Sequence, residues 1–361
     1  MKNEKISNMT GAILCALALL TNAYSVVPGV AAGGAVWVAD ILATSLALIC
    51  TAAFCSSCDR FPDETFFGVL KKSFGKTFGI ILALVFSIFA LLTCAVSLTV
   101  FSRFVQITSL PQTPQIIIPL LLIFVSALAV KGQKLRCPSQ TAWLLVWFAA
   151  SVFVFFVFSS LSQIKSNLMT LAKFENFKIL PSVGEVFLNR FGLIPAFVAV
   201  YTKMSEVKTR RAYMLSSVAV AGTGLAVISA ISVITLGEEL AKADFYPVYT
   251  AMSLRRVGGF VRHTEILASV AMTICLFFKG CICLAFASEM INGVFNTNEK
   301  SFSSLPLALI TASATQLIYR DISSLRGLLE WKGGAFYFLS FFIALPLALF
   351  LATHIKKKVK R

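Results

Sequence analysis

Apolar runs long enough to cross a bilayer recur from one end of this chain to the other. Stretches of about 18 or more mostly apolar residues fall near 9–31, 35–56, 77–107, 115–130, 140–163, 188–206, 211–236, 264–292, 303–320 and 333–354, against the roughly 20 helical residues that span a hydrocarbon core. Charged residues are 13% of the 361 and apolar residues 58%, whereas a soluble domain carries about 25% charge. A soluble globule with one core and a disordered chain are both excluded. The reading is an all-α polytopic membrane protein, a single transmembrane domain over 1–361 with ten transmembrane helices.

The 32 Lys and Arg outnumber the 16 Asp and Glu, for a net charge of +16. They sit mainly in segments between the apolar runs, as the loops of a membrane protein do, so no nucleic-acid surface is implied. Arg103 and Lys279 are read as lying within spans, while Arg190, Lys203, Arg211 and Arg320, near span ends, are counted with the loops. An even number of spans puts both termini on one side. With the termini inside, Lys2, Lys5, Arg60, Lys71, Lys72, Lys76, Lys131, Lys134, Arg136, Lys203, Lys208, Arg210, Arg211, Lys300 and the tail from Lys356 to Arg361 are cytoplasmic, and the outer loops 31–35 and 107–114 hold no Lys or Arg. Cytoplasmic loops carry the excess of Lys and Arg, so the N and C termini are expected in the cytoplasm. The first run lacks a small-residue processing site and leads straight into further spans, so no cleavable signal is expected.

Catalysis finds little support. The two histidines are His263 and His354, and no H-E-x-x-H, G-x-x-x-x-G-K-[ST] or G-x-S-x-G occurs. Most of the nine cysteines lie inside apolar runs, where a free thiol packs as a small hydrophobe. Cys55 and Cys58 form a C-x-x-C, but without a second pair at zinc spacing or a thioredoxin-like context. No enzyme, cofactor or metal site is expected.

Spans three and eight are the longest, about 31 and 29 residues, so both must tilt or protrude. They stand five apart, and each follows a long connector with a helical pattern, 57–76 and 237–263. Five spans per half force the halves, about 9–163 and 188–354, into inverted topology, the architecture of secondary transporters with a midplane site. In the inner connector, Pro62 and Asp63 precede a helix in which Phe66, Leu70 and Phe74 recur every fourth residue while Lys71, Lys72 and Lys76 take other faces. It reads as an interfacial helix or as a cap on the bundle.

Three features point to a site. In span one, helix formers give way to Thr21, Asn22, Ala23, Tyr24 and Ser25, followed by Pro28 and Gly29. Proline removes a backbone donor and disfavours helix at the preceding residue. A helix broken there offers amides to an anionic ligand and carbonyls to a cation; a simple proline kink is the alternative. In span six, Gly192 and Pro195 interrupt the hydrophobic stretch five spans later, where an inverted repeat places the partner of span one. In span eight, Lys279 lies about 15 to 21 Å along the helix from Glu265 and Glu289. An intramembrane lysine usually faces a cavity or the bundle interior, unless it pairs with a carboxylate such as Asp40. The candidate ligand-binding set is Asn22, Ala23, Tyr24, Ser25, Pro28, Gly29, Gly192, Pro195 and Lys279.

These motifs resemble a family. YSVVPGVAAGGAVW, from Tyr24 to Trp37, is similar to the broken first helix of the spore germination permeases, the B subunits of nutrient germinant receptors. RFPDETFFGVLKKSFGKTFG from Arg60 resembles the family's inner connector. The segment from Phe245 to Ser288, with an aromatic-Pro connector, Arg262, Glu265 and an F-x-K span, resembles its most recognisable stretch. Two positions depart: Ala35 stands where the family usually has an acidic residue ahead of the Trp, and Ala23 where a glycine is often found. The resemblance implies an amino acid/polyamine/cation transporter (APC) superfamily fold, LeuT-like, with helices one and six broken, in the inner membrane of a bacterial spore. It further implies A and C receptor subunits as partners and an amino acid or similar nutrient as ligand. In sodium-coupled relatives of this fold a cation bridges the broken first helix and span eight, so Lys279 is expected to replace that ion, donating to carbonyls near Asn22 to Val26. A secondary active amino-acid transporter and a structural scaffold for receptor partners are the competing classes.

Overall fold

The computed structural model describes residues 5–23, 26–62, 64–131, 134–167, 176–254, 265–297, 303–318 and 346–353. Its helices are α1 (Asn8–Leu19), α2 (Val36–Asp59), α3 (Phe66–Phe74), α4 (Lys76–Thr108), α5 (Ile117–Ala129), α6 (Arg136–Asn167), α7 (Asn176–Val186), α8 (Val198–Tyr201), α9 (Arg210–Leu236), α10 (Glu238–Ala243), α11 (Pro247–Ser253), α12 (Glu265–Phe295) and α13 (Ser304–Ile318). Among the described residues six helical stretches are long and apolar enough to cross a membrane, and α1, α5 and α13 are shorter apolar helices. The tenth expected span lies mostly outside the described residues, which show helix at 346–353.

Two groups of helices build the bundle. On one side α2 packs along α9 and against span six; on the other α12 packs along α4 and α5, and α13 covers α4 and α5. The short α1 lies between them, touching α9, α12 and α6. Lipid-facing positions remain apolar and exposed, as at Ile49, Phe78, Ile88, Leu144, Trp147 and Val220. That is the inversion of the soluble rule expected when lipid is the solvent.

The inner connector forms a helix as its spacing predicted. Thr65 caps α3 by accepting from the Gly68 amide at 3.3 Å. Phe66, Val69 and Leu70 are buried while Lys71 and Lys72 remain outside. Phe66 stacks within a cluster of Phe54, Phe86 and Phe286 rings, which fastens α3 to the inner ends of α2, α4 and α12. The connector before α12 carries α10 and α11, and 255–264 lies outside the described residues.

Three boundaries differ from the sequence reading. Helix α6 has 32 residues, as long as α4 with 33 and α12 with 31, so length does not single out spans three and eight. Span six starts earlier, running over Ile179–Tyr201, because Pro181, Ser182 and Gly184 look like a loop yet sit inside helical backbone. Arg190, counted with the loop charges at the edge of 188–206, therefore lies in the middle of its span as a third intramembrane cation. The outer half of span one is not an α-helix: a 3-10 segment, Val30–Ala35, leads directly into α2.

Helices α2 and α9 meet closely at Gly222, where a Cβ would collide with the Thr44 side chain. Gly222→Ala should lower thermal stability by about 1–3 kcal/mol through overpacking, and adding Thr44→Ala should recover most of the loss. Unfolding of the purified variants in detergent checks both.

Candidate functional site

Helix α1 stops at Leu19, tightens into a 3-10 turn over Leu20–Asn22, and does not resume. Thr21 satisfies part of what the break leaves open: its hydroxyl lies 2.7 Å from the Ala18 carbonyl and 3.2 Å from the Cys275 carbonyl of α12. Ala23 is completely buried. Tyr24 and Ser25 lie outside the described residues, as does the side chain of Asn22. Pro28 and Gly29 form a turn, and Gly29 takes φ +75 against Ser182 and Val186 of α7. A little further on, Gly33 at φ +59 leaves room for the Glu238 carboxylate of α10, which accepts from the Gly34 amide at 3.0 Å. A left-handed φ favours glycine at both positions.

Span six is interrupted more gradually. Beyond α7 the chain widens into a π-helical segment, Phe187–Phe191, turns at Gly192 and Leu193, narrows to a 3-10 segment over Ile194–Phe197 with Pro195 at its start, and ends as α8. Every residue from Arg190 to Tyr201 is buried. The structure brings the two breaks together: Leu20–Asn22 lies against Phe187–Phe191, and α12 touches both Leu20–Asn22 and Ile194–Phe197.

At this junction lies a charge pair. Arg190 donates from Nη1 to Asp40 Oδ1 at 2.6 Å and from Nη2 to Ser229 Oγ at 2.8 Å, joining span six to α2 and α9. The two charged side chains are 0% and 1% exposed. Asp40 therefore pairs with Arg190, and the alternative partnership with Lys279 is not made. Position 190 was the residue that sequence reasoning missed. The usable signal was its place directly before Phe191-Gly192, at the break itself.

Lys279 is 3% exposed and donates to Ser97 Oγ of α4 at 2.6 Å. No carboxylate among the described residues lies within 4 Å of it in an ion pair. Among the described residues no bond joins Lys279 to the span-one carbonyls, because its ammonium is directed at α4. One turn earlier α12 meets span one through the Cys275 carbonyl, so an uncharged contact to Thr21 joins these elements instead. Lys279 thus lies behind the breaks, on the α4 side.

The ends of the spans nearest α3 are tied by polar contacts. Asp59 accepts from Arg210 Nη2 at 2.6 Å and from the Tyr201 hydroxyl at 2.7 Å, and the Arg210 guanidinium stacks 4.6 Å from the Tyr201 ring centre. Glu289 accepts the Phe66 amide at 3.2 Å and lies 3.7 Å from Lys203. Asn8 and Ile6 hold the loop after α8 through bonds to Glu206, Lys203 and Ser205. Between these ties and the breaks, Thr51, Phe54, Cys55, Ile194, Phe197, Val198, Tyr201 and Met214 line a small apolar cleft. Among the described residues no three His, Cys, Asp or Glu side chains gather as a metal site would need.

The buried ammonium of Lys279 has one hydrogen bond for its three donors. Lys279→Met should leave the unliganded protein as stable or more stable, whereas Ser97→Ala should destabilise it by about 1–3 kcal/mol by stranding the ammonium. Melting temperatures of the two purified variants check this.

The same helical arrangement occurs in solved transporters. A crystal structure of the Eremococcus coleocola manganese transporter, in complex with an aromatic bis-isothiourea substituted compound, superposes with a TM-score of 0.62 at 12% identity, over 94% of this chain and 76% of the transporter. A histidine-to-alanine mutant of that transporter gives 0.57 at 13% identity over the same shares. The chain therefore shares the all-helical fold of this transporter. Among curated protein sequences none matches the chain. Residues 5–323 match the family described as spore germination protein, and with nearly all of the chain so covered, it belongs to the spore germination permease family.

Proposed function

We propose that the chain is the B subunit of a spore germinant receptor, sensing an amino acid or similar small nutrient between the breaks of spans one and six. The observation that carries this reading is the contact between the two breaks, with the buried Asp40–Arg190 pair at their junction. Interrupted helices expose backbone donors and acceptors only where protein or ligand can satisfy them. Asn22, Ala23, Tyr24, Ser25, Pro28, Gly29, Gly192 and Pro195 would frame the ligand, and Lys279 would support the site from the α4 side. Receptor A and C subunits would read the response at the spore inner membrane, with the halves 9–163 and 188–354 as repeats moving around the site. A ligand that binds only the folded chain stabilises it by RT ln(1 + [L]/Kd). An amino acid should therefore raise the melting temperature of the purified wild type in a saturable way, and no shift with any amino acid would sink the reading.

The transporter-like fold favours a second reading, secondary active amino-acid transport. Uptake of the stabilising ligand into proteoliposomes by the isolated chain would favour it; binding without uptake favours the receptor.

Both termini are placed on the cytoplasmic side, since the basic segments 60–76 and 356–361 would then face inward. A cysteine introduced at position 358 should resist an impermeant thiol reagent in intact cells and react after permeabilisation; labelling from outside would reverse the topology.

A further inference from the structure

Charges buried inside a membrane bundle are costly unless every donor and acceptor is met. The Asp40–Arg190 pair leaves two unmet. Its guanidinium is fixed at two nitrogens, by Asp40 Oδ1 and Ser229 Oγ, and Ser229 in turn donates to the Leu225 carbonyl at 3.1 Å. Arg190 Nε and Asp40 Oδ2 are buried with no hydrogen-bond partner among the described residues. An arginine and a carboxylate that serve only to hold helices together readily close two parallel bonds. Here a single one forms, which leaves one donor and one acceptor unmet on fully enclosed side chains.

Their position is equally specific. Arg190 belongs to the π-helical segment Phe187–Phe191, directly before the Gly192 turn, and that segment lies against Leu20–Asn22 of the other break. Such π segments occur mostly as single-turn insertions in α-helices, frequently at functional sites. We infer that the Asp40–Arg190 pair reads the charge of the ligand: Arg190 Nε donates to an acceptor of the ligand and Asp40 Oδ2 accepts from a donor, so the group recognised carries both, as a zwitterion does. This rests on the reading that the ligand binds between the breaks. A lone cation placed there would meet the guanidinium and a lone anion the carboxylate, so the pair rejects each while accepting a molecule with both charges. Asp40 and Arg190 thereby become specificity residues, with Ser229 positioning the guanidinium.

The test uses the purified full chain in lipid nanodiscs, with the proteinogenic amino acids as probes and thermal unfolding as the first readout. For the amino acid with the largest shift, two analogues are compared by calorimetric titration: its methyl ester, without the carboxylate, and its deaminated acid, without the ammonium. In the wild type each analogue should bind at least about tenfold more weakly than the parent, the effect of one lost charge-assisted hydrogen bond. Asp40→Asn combined with Arg190→Gln removes both charges together and strands neither. In that variant the discrimination should fall to within about threefold; loss of parent binding at an unchanged melting temperature supports the inference equally. A lower melting temperature with the affinity ratios preserved means that the pair is structural and overturns the inference, leaving the site reading intact. An ester or deaminated acid that binds the wild type as tightly as the parent overturns it without recourse to any variant. Failure of every amino acid to shift the wild type overturns the site reading and the inference with it.

Discussion

Backbone amides and carbonyls find no water inside hydrocarbon, and this constraint governs where the chain can leave α-helical geometry. Spans one and six both leave it, and both do so only where other helices enclose them. The break of span one is closed by Thr21 on the Cys275 carbonyl and by the Phe187–Phe191 segment. The break of span six passes through π, turn and 3-10 geometry with every residue from Arg190 to Tyr201 buried. Long unbroken helices such as α4, α9 and α12 supply the walls, and because α12 touches both breaks, any rearrangement at one is felt by the same wall as the other.

The paired charges are arranged in levels along this frame. At the end opposite α3, Glu238 holds the Gly33–Gly34 backbone. At the breaks stand Asp40 and Arg190, with Lys279 held by Ser97 on the α4 side. At the inner ends, Asp59 gathers Tyr201 and Arg210, while Glu289 links α12, the start of α3 and Lys203 after α8. One carboxylate thus joins the inner half of span six to the connector helix. Since α3 is packed by Phe66 into a ring cluster shared with α2, α4 and α12, the end of the bundle that carries α3 is joined to the break through side-chain contacts.

Much of this was legible in the residues. Run length located the apolar helices, since hydropathy over about 20 residues is a local property. The four-residue recurrence of Phe66, Leu70 and Phe74 located α3, and Pro28-Gly29 with Gly192 and Pro195 located both breaks. The start of span six was misjudged because Pro181, Ser182 and Gly184 carry loop propensity that packing overrides. That error left Arg190 at the edge of its span, counted with the loop charges, and concealed its pairing with Asp40. Lys279 was correctly seen to be buried, but its partner was not, since the rotation of α12 toward α4 is set by packing along the whole helix.

The sequence by itself determined that the chain spans a membrane as helices, where those helices lose their regular geometry, and that a lysine lies within the eighth span. Each of these depends on residues close together in the chain. Only the tertiary structure decided which buried charges meet: Asp40 and Arg190 are 150 residues apart, and Lys279 and Ser97 are 182 apart. A helix has one rotation that faces its neighbours correctly, and that rotation follows from the packing of all its contacts together, which no short window of sequence contains.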